Sequence, residues 1–222
     1  MKNELYHIYN RGNQKQKIFF ELDNYEYFVR KMKKHLVPCC DILAWCLMPN
    51  HFHFLIHANE LSVAPVNKKG IPYQNLSDGF RKLLSSYTKG INSKYRMTGN
   101  LFQQHTRAKS LVNDAGNYSL TAFNYIHQNP WKGNLVRQVE DWKYSSLRDY
   151  IGKRNSGICN MELAKQILEP GSIENILNSA RQFELSDIAQ IFQSEPKISS
   201  KLIFDNSEKI PDFEITEILL NG

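Results

Sequence analysis

The feature that most constrains the fold is a pair of strand-like runs joined by a two-residue turn. The run CDILAWCLM at 40–48 is almost wholly apolar, and HFHFLIH at 51–57 follows directly after Pro49-Asn50. Runs of this length that are rich in branched and aromatic residues are typical of β-strands, and Pro-Asn is a turn signal. Because the connection is so short, the sequence predicts a buried antiparallel hairpin.

Patterns elsewhere add strands and helices to this hairpin. Apolar residues recur every three to four positions in three segments, which indicates helices, and alternation in two others indicates strands. We predict strands at 5–10 and 105–112, helices at 23–35, 76–95 and 113–128, and a loop at 59–75. Pro130 is expected to end the last helix. The order βαββαβα predicts an α+β fold of the split βαβ or ferredoxin-like type, with an antiparallel sheet that carries helices on one face.

Charge divides the chain into two parts. Residues 1–153 contain 22 Lys and Arg against 11 Asp and Glu, whereas residues 154–222 contain 6 against 11, so the net charges are +11 and −5. We predict a functional domain at 1–153 and an acidic, mostly helical C-terminal extension at 154–222, with Trp131 and Trp142 anchoring the end of the domain. A basic domain suits a polyanion such as nucleic acid. The extension is expected to cover the domain, contact a partner or compete with DNA phosphates.

Cysteine usage and hydropathy predict a cytoplasmic protein. The four cysteines form no CxxC pair, and two of them are adjacent, which is unfavourable for a disulfide framework. The first residues lack the apolar core of a signal peptide, and the most apolar run is too short to span a bilayer. We therefore expect reduced thiols and no membrane association.

His51 and His53 are candidate metal ligands. Residues two apart in a strand point to the same face, about 6.6 Å apart along its axis. They are either ligands or half-buried polar residues with other partners, and two histidines alone do not complete a coordination sphere. Asn129, on the last predicted helix, would add an amide oxygen, with Gln128 as the alternative. Such a mixed nitrogen and oxygen site suits Mg²⁺ or Mn²⁺.

Tyr125 is a candidate nucleophile, because it lies one helical turn before Asn129 on the same face. A tyrosine beside a divalent ion can attack a phosphodiester. The alternative is an ordinary core aromatic residue. We expect His57 and His127 to lie outside the site.

Five motifs together resemble a known family. They occur in the order YHIYNRGNQKQKIF, MPNHFHFLIH, GNLFQQHTRAKSL, YIHQNP and WKYSSLRDY, and they cover about residues 5–150. This set resembles the REP-associated tyrosine transposases, which are related to single-strand insertion-sequence transposases among the HUH nucleases.

The resemblance implies an HUH nuclease fold and a transposase-like enzyme that cleaves and rejoins single-stranded DNA near palindromic hairpins. It implies that Tyr125 forms a 5′-phosphotyrosine link and that His51, His53 and Asn129 hold Mg²⁺ or Mn²⁺. It also implies a bacterial, nucleoid-associated protein. A monomer is expected, with a dimer as the alternative.

Basic and polar residues are predicted along a DNA path: Asn10, Arg11, Lys15, Lys17, Arg107 and Lys109. Lys33 and Lys34 are more typical of a solvated helix face. The alternative function is a non-catalytic or domesticated protein that binds single-stranded nucleic acid through an RRM-like sheet.

Overall fold

The computed structural model describes residues 2–68, 71–111 and 118–182. The strands are β1 Glu4–Arg11, β2 Asp41–Met48, β3 His51–Ala58, β4 Pro65–Lys68, β5 Ile71–Gln74 and β6 Arg107–Ser110. The helices are α1 Leu22–His35, α2 Glu60–Val63, α3 Asn75–Tyr95, α4 Tyr118–Lys132, α5 Leu147–Tyr150, α6 Met161–Leu168 and α7 Ile173–Gln182.

Four strands form one antiparallel sheet in the order β2-β3-β1-β6. The predicted hairpin is confirmed, because β2 and β3 pair directly on either side of Pro49-Asn50. Strand β3 also pairs with β1, which aligns Arg11 with His51 and Tyr9 with His53. The predicted α+β fold class is therefore confirmed, and β3 lies between two neighbouring strands.

Helices α1 and α3 pack on one face of the sheet. Their buried residues include Phe28 and Phe80, which join one apolar cluster with Ile8, Trp45 and Phe54 of the strands. Alternate strand residues supply this cluster, as period-two patterning requires. The expectation of helices on one face holds for these two helices.

Helix α4 covers the opposite face, which the sequence prediction did not include. Phe123 and Ile126 of α4 pack with Leu43 and Cys46 of β2 and with Leu55 of β3 in a second cluster. The reason can be read in β2, since a nearly continuous apolar strand is typical of burial on both faces. The candidate histidines lie on this second face.

The predicted loop at 59–75 contains regular structure. Asn59 caps the short helix α2, with its side chain accepting a hydrogen bond from the Ser62 amide, and β4 pairs with β5 as a small separate hairpin. Two prolines made this segment resemble a loop. An isolated two-stranded hairpin tolerates proline, however, because edge strands leave backbone amides unpaired.

The prediction that Pro130 ends the last helix is wrong. Helix α4 continues to Lys132, so Pro130 lies inside its last turn. Proline lacks the backbone N–H that would bond to the carbonyl four residues earlier, so α4 continues past Pro130 with one backbone hydrogen bond fewer. The predicted start at residue 113 lies outside the described residues.

Residues 154–182 pack onto the domain that precedes them. Leu168 of α6 and Ile176 of α7 belong to the same apolar cluster as Phe123 of α4. The carboxylate of Asp41, at the start of β2, accepts a hydrogen bond from Asn160 at 2.9 Å. The described part of the predicted extension is thus helical and completes this core.

Of the two predicted tryptophan anchors, only Trp142 is one. Its indole N–H donates to the Leu47 carbonyl at 3.0 Å. Trp131 is 37% exposed, so its prediction as an anchor is wrong. Among the described helices, none has the length and apolarity needed to cross a membrane.

Candidate active site

Three histidines lie on the sheet face that α4 covers. His51 and His53 alternate along β3, and His7 lies on β1 diagonally across from His53, because His7 pairs with Leu55. The side chains of His7 and His53 are almost fully buried, whereas His51 is partly exposed. The ring centroids of His51 and His53 are 5.0 Å apart, with nearly perpendicular planes at 86°.

Each histidine of the HxH pair has a neighbour at its Nδ1 atom. His51 Nδ1 lies 2.6 Å from the Asn50 side-chain oxygen, and His53 Nδ1 lies 2.9 Å from His7 Nε2. Hydrogen bonds at Nδ1 leave the Nε2 atoms of both rings as the atoms that can bind an ion. The sheet therefore presents two imidazoles in similar hydrogen-bonding states.

Tyr125 projects from α4 against these histidines. Its ring lies edge-on to His53, with centroids 5.4 Å apart, and to His7 at 6.0 Å. Asn129, one turn later, donates its side-chain N–H to the Tyr125 backbone carbonyl at 2.9 Å. That bond occupies the nitrogen of the Asn129 amide and leaves the oxygen as its candidate ligand atom. Of the two α4 residues, Tyr125 is the one whose ring contacts the strand histidines.

Burial keeps the histidines neutral. It lowers the pKa of His7 to about 3 and that of His51 to about 4, with Arg11 adding to the effect at His51. The pKa of His53 falls well below its usual value for the same reason. A neutral imidazole retains a lone pair, which is the form that binds metal ions.

Burial raises, rather than lowers, the pKa of the candidate nucleophile. It raises the pKa of Tyr125 to about 12, and a hydrogen bond with the Asn129 side chain opposes part of that increase. A neutral phenol at physiological pH needs a nearby positive charge or a base before it can attack phosphorus.

The donor set fits a divalent ion of mixed nitrogen and oxygen coordination. Among residues 2–68, 71–111 and 118–182, no three His, Cys, Asp or Glu side chains are arranged to hold a metal. Two imidazoles that share one ion at about 2.1 Å have ring centres roughly 4.5–5.3 Å apart, and His51 and His53 meet this condition. Of the two candidate oxygen ligands on α4, Asn129 is partly exposed, whereas Gln128 is fully buried.

Three predicted DNA contacts lie on the histidine face. Arg11 is aligned with His51 across the β1–β3 pair, while Arg107 and Lys109 of β6 are aligned with Tyr9 and His7. Directly paired residues of antiparallel strands point to the same face. These three cationic side chains therefore lie on β1 and β6, on the same sheet face as the candidate site.

The other three predicted contacts differ in position. Asn10 faces the opposite side, is buried, and donates hydrogen bonds to the Gln103 carbonyl and the Thr106 hydroxyl. The structure thus does not bring Asn10 to the histidine face. Lys15 and Lys17 are exposed in the segment after β1, where the Lys15 carbonyl lies 3.5 Å from the Asn50 side-chain nitrogen.

Two further histidines have structural partners elsewhere. His57, at the far end of β3, lies 3.4 Å from the Asp41 carboxylate. His127 is buried on α4 and its Nε2 lies 2.7 Å from the Ser146 hydroxyl. His57 and His127 thus have partners other than the HxH pair.

Sequence reasoning missed His7 and Asn50. His7 occupies an alternate position of a predicted strand, which is a weak signal because the pairing register is not readable from one sequence. The sequence indicates only a turn at Asn50, although this residue directly precedes His51. Both were found through their hydrogen bonds to the HxH pair.

Comparison with known proteins supports the fold. No protein-family model matches the chain, and no curated protein is significantly similar in sequence. A solved structure described as a REP-associated tyrosine transposase bound to a REP hairpin is similar with a TM-score of 0.50 and 16% identity. The similarity covers 72% of this chain and 85% of that chain. The chain therefore shares the fold of that solved tyrosine transposase.

Proposed function

We propose that this protein is a transposase-like endonuclease and strand transferase for single-stranded DNA. One observation carries the proposal. Tyr125, a buried tyrosine on α4, lies edge-on to His53, which forms the HxH pair with His51. The shared fold with a hairpin-bound tyrosine transposase supports the same class of substrate. We further propose that the DNA partner of this chain contains palindromic hairpins.

The proposed reaction is a transesterification. The Tyr125 phenol oxygen attacks a DNA phosphorus, so one P–O bond to tyrosine forms while the P–O3′ bond breaks. The phenol proton is transferred overall to the departing oxygen, which leaves a free 3′-hydroxyl and a 5′-phosphotyrosine. Because the number of phosphoester bonds is unchanged, attack by a 3′-hydroxyl on the phosphotyrosine rejoins DNA without another energy source.

The side chains of the site have different roles in the proposed reaction. His51, His53 and Asn129 would hold one divalent ion, Mg²⁺ or Mn²⁺, which would supply positive charge to polarise the scissile phosphate. The ring of His53 also contacts the ring of Tyr125, and the Asn129 side-chain N–H donates to the Tyr125 backbone carbonyl. His51 and Asn129 are partly exposed, so a phosphate is expected to enter from their side.

Cations beside the site would bind the DNA backbone. Arg11, Arg107 and Lys109 lie on the histidine face, and Lys15 and Lys17 are exposed in the segment after β1. Phosphate contacts position a nucleic acid but do not read its sequence. We therefore assign these residues to backbone binding near the scissile phosphate.

The geometry favours an enzyme over a protein that binds nucleic acid on a bare sheet. RRM-like binding needs exposed aromatic residues on an open sheet face. Here α1 and α3 cover one face and α4 covers the other. We propose a monomeric enzyme acting on nucleoid DNA in a bacterial cytoplasm.

The test is formation of a covalent adduct. Purified protein is incubated with a single-stranded hairpin DNA and Mn²⁺, and a slower band is sought on a denaturing gel. We expect an adduct with the unmodified protein and none with Tyr125→Phe, which should still bind the DNA. An adduct of equal yield with Tyr125→Phe would contradict the assigned nucleophile.

A further inference from the structure

The Nδ1 contacts of the HxH pair determine which ring nitrogen of each histidine carries the proton. A neutral imidazole has one N–H and one lone pair, and the hydrogen bond made by one nitrogen fixes the role of the other. Hydrogen positions are assigned from such partners. The partners here are Asn50 for His51 and His7 for His53.

The contacts of the Asn50 side chain determine which ring nitrogen of His51 carries the proton. The Asn50 side-chain nitrogen faces the Lys15 carbonyl at 3.5 Å, and a carbonyl oxygen only accepts. The Asn50 amide oxygen is therefore the atom directed at His51 Nδ1, at 2.6 Å. Because an amide oxygen also only accepts, Nδ1 of His51 must carry the proton. Its Nε2 then holds a lone pair.

His53 has another imidazole as its partner, so donor and acceptor could exchange. His7 Nε2 lies 2.9 Å from His53 Nδ1, and the two rings are nearly parallel at 19°. His7 belongs to β1, which is paired with β3 on one side and β6 on the other. His7 is buried on this doubly paired strand, so its ring is held in place beside His53.

We infer that His7 and Asn50 are positioning residues that hold His53 and His51 as Nδ1–H tautomers, with both Nε2 lone pairs available for one divalent ion. The inference deepens the proposed function and rests on it for the identity of the ligand. The opposite tautomer of His53 would direct an N–H at the ion and prevent binding. Partners that orient metal-binding histidines in this way typically contribute 10–100-fold to metal affinity.

The tautomers can be measured without metal or DNA. Long-range ¹H–¹⁵N spectra of the histidine-labelled protein at pH 7 distinguish a protonated from an unprotonated ring nitrogen. We expect protonated Nδ1 and unprotonated Nε2 for both His51 and His53, assigned by comparison with His51→Gln and His53→Gln. Protonation of His53 at Nε2 would overturn the inference. This result can be read even if the protein proves not to cleave DNA.

A second measurement tests the consequence for metal binding. Mn²⁺ affinity is compared for the unmodified protein, His7→Leu and His7→Gln, each checked by thermal unfolding. Leucine removes the acceptor, whereas the glutamine side-chain oxygen restores one. We expect a roughly 10–100-fold loss with His7→Leu and recovery of most of it with His7→Gln.

The outcomes separate the inference from the proposed function. Unchanged affinity in His7→Leu, or equal losses in both variants, would overturn the role of His7 as a hydrogen-bond acceptor. If the unmodified protein binds no Mn²⁺, the proposed metal site fails, and the spectra alone decide the tautomers. If it binds Mn²⁺ and forms the DNA adduct while His7→Leu behaves identically, only the inference fails.

Discussion

The ring of His53 on β3 meets the ring of Tyr125 on α4 edge to face, with centroids 5.4 Å apart. These residues are far apart in sequence and meet because α4 packs across the same sheet face that carries the histidines. The contact joins a candidate metal ligand to a candidate nucleophile.

The first prediction concerns Asn129 as the third metal ligand. Asn129→Ala removes the amide oxygen and should weaken Mn²⁺ binding at least tenfold, about 1.4 kcal/mol. Asn129→Asp keeps an oxygen and adds negative charge, so its affinity should equal or exceed that of the unmodified protein. Calorimetric titration of the three proteins decides this. Unchanged affinity in Asn129→Ala would exclude this residue and favour Gln128 or water.

The second prediction concerns Arg107 as a phosphate contact. Arg107→Ala should weaken binding of single-stranded DNA several-fold regardless of sequence and reduce the slope of log affinity against log salt by roughly 0.7–1. Fluorescence anisotropy at four salt concentrations measures both quantities. Lys33→Ala is a matched control, because Lys33 is exposed on α1, across the sheet. Equal salt slopes for the two variants would contradict a specific DNA path.

The third prediction is a loss of stability in acid. The pKa of His127 is lowered to about 3 by burial, and those of His7, His51 and His53 are lowered as well. Below about pH 6.5 the unfolded chain binds protons that the folded chain does not. The free energy of unfolding therefore decreases as the pH decreases. Their contribution is complete above that pH and decreases progressively as the pH falls towards about 4 and below.

Urea unfolding between pH 7.5 and 4.5 measures this effect. The expected slope is on the order of 1 kcal/mol per pH unit for each histidine between its unfolded and folded pKa. His127→Gln should start from a lower stability, because the Ser146 contact changes, but should show a shallower decline in acid. A flat profile from pH 6.5 to 4.5 would disagree with four histidines that stay neutral in the folded protein.

The fourth prediction concerns the boundary at residue 153. Truncation after residue 153 removes α6 and α7, exposes the cluster around Phe123 and Leu43, and should lower the melting temperature markedly or cause aggregation. Truncation after residue 182 keeps every described contact and provides the control. If the 1–153 fragment melts like the 1–182 fragment, the two helices are not part of the core.

The sequence was most informative where patterning was strongest. The apolar run of β2, the Pro-Asn turn and the alternation of His51 and His53 predicted the hairpin and the shared direction of the histidines. The one-turn spacing of Tyr125 and Asn129 predicted that they are neighbours on α4, and the Asn129 side-chain N–H donates to the Tyr125 backbone carbonyl. Each of these features depends on local geometry.

Features that depend on tertiary packing were not predictable. The contact between His7 and His53 requires the β1–β3 register, and a shift by one residue would turn His7 to the other face. The coverage of the second sheet face by α4 follows from long-range packing. Pro130 gave a misleading local signal, because tertiary context outweighs propensity within the last turn of a helix.

The most direct measurement is the site of covalent attachment. After reaction with hairpin DNA and Mn²⁺, nuclease and trypsin digestion should leave a nucleotide on the peptide spanning 110–132, which contains Tyr118 and Tyr125. Fragmentation by mass spectrometry distinguishes the two tyrosines. The account predicts a nucleotide on Tyr125 and its retention in Tyr118→Phe. A nucleotide on any other residue, or no covalent nucleotide in a protein that cleaves the DNA, would contradict it.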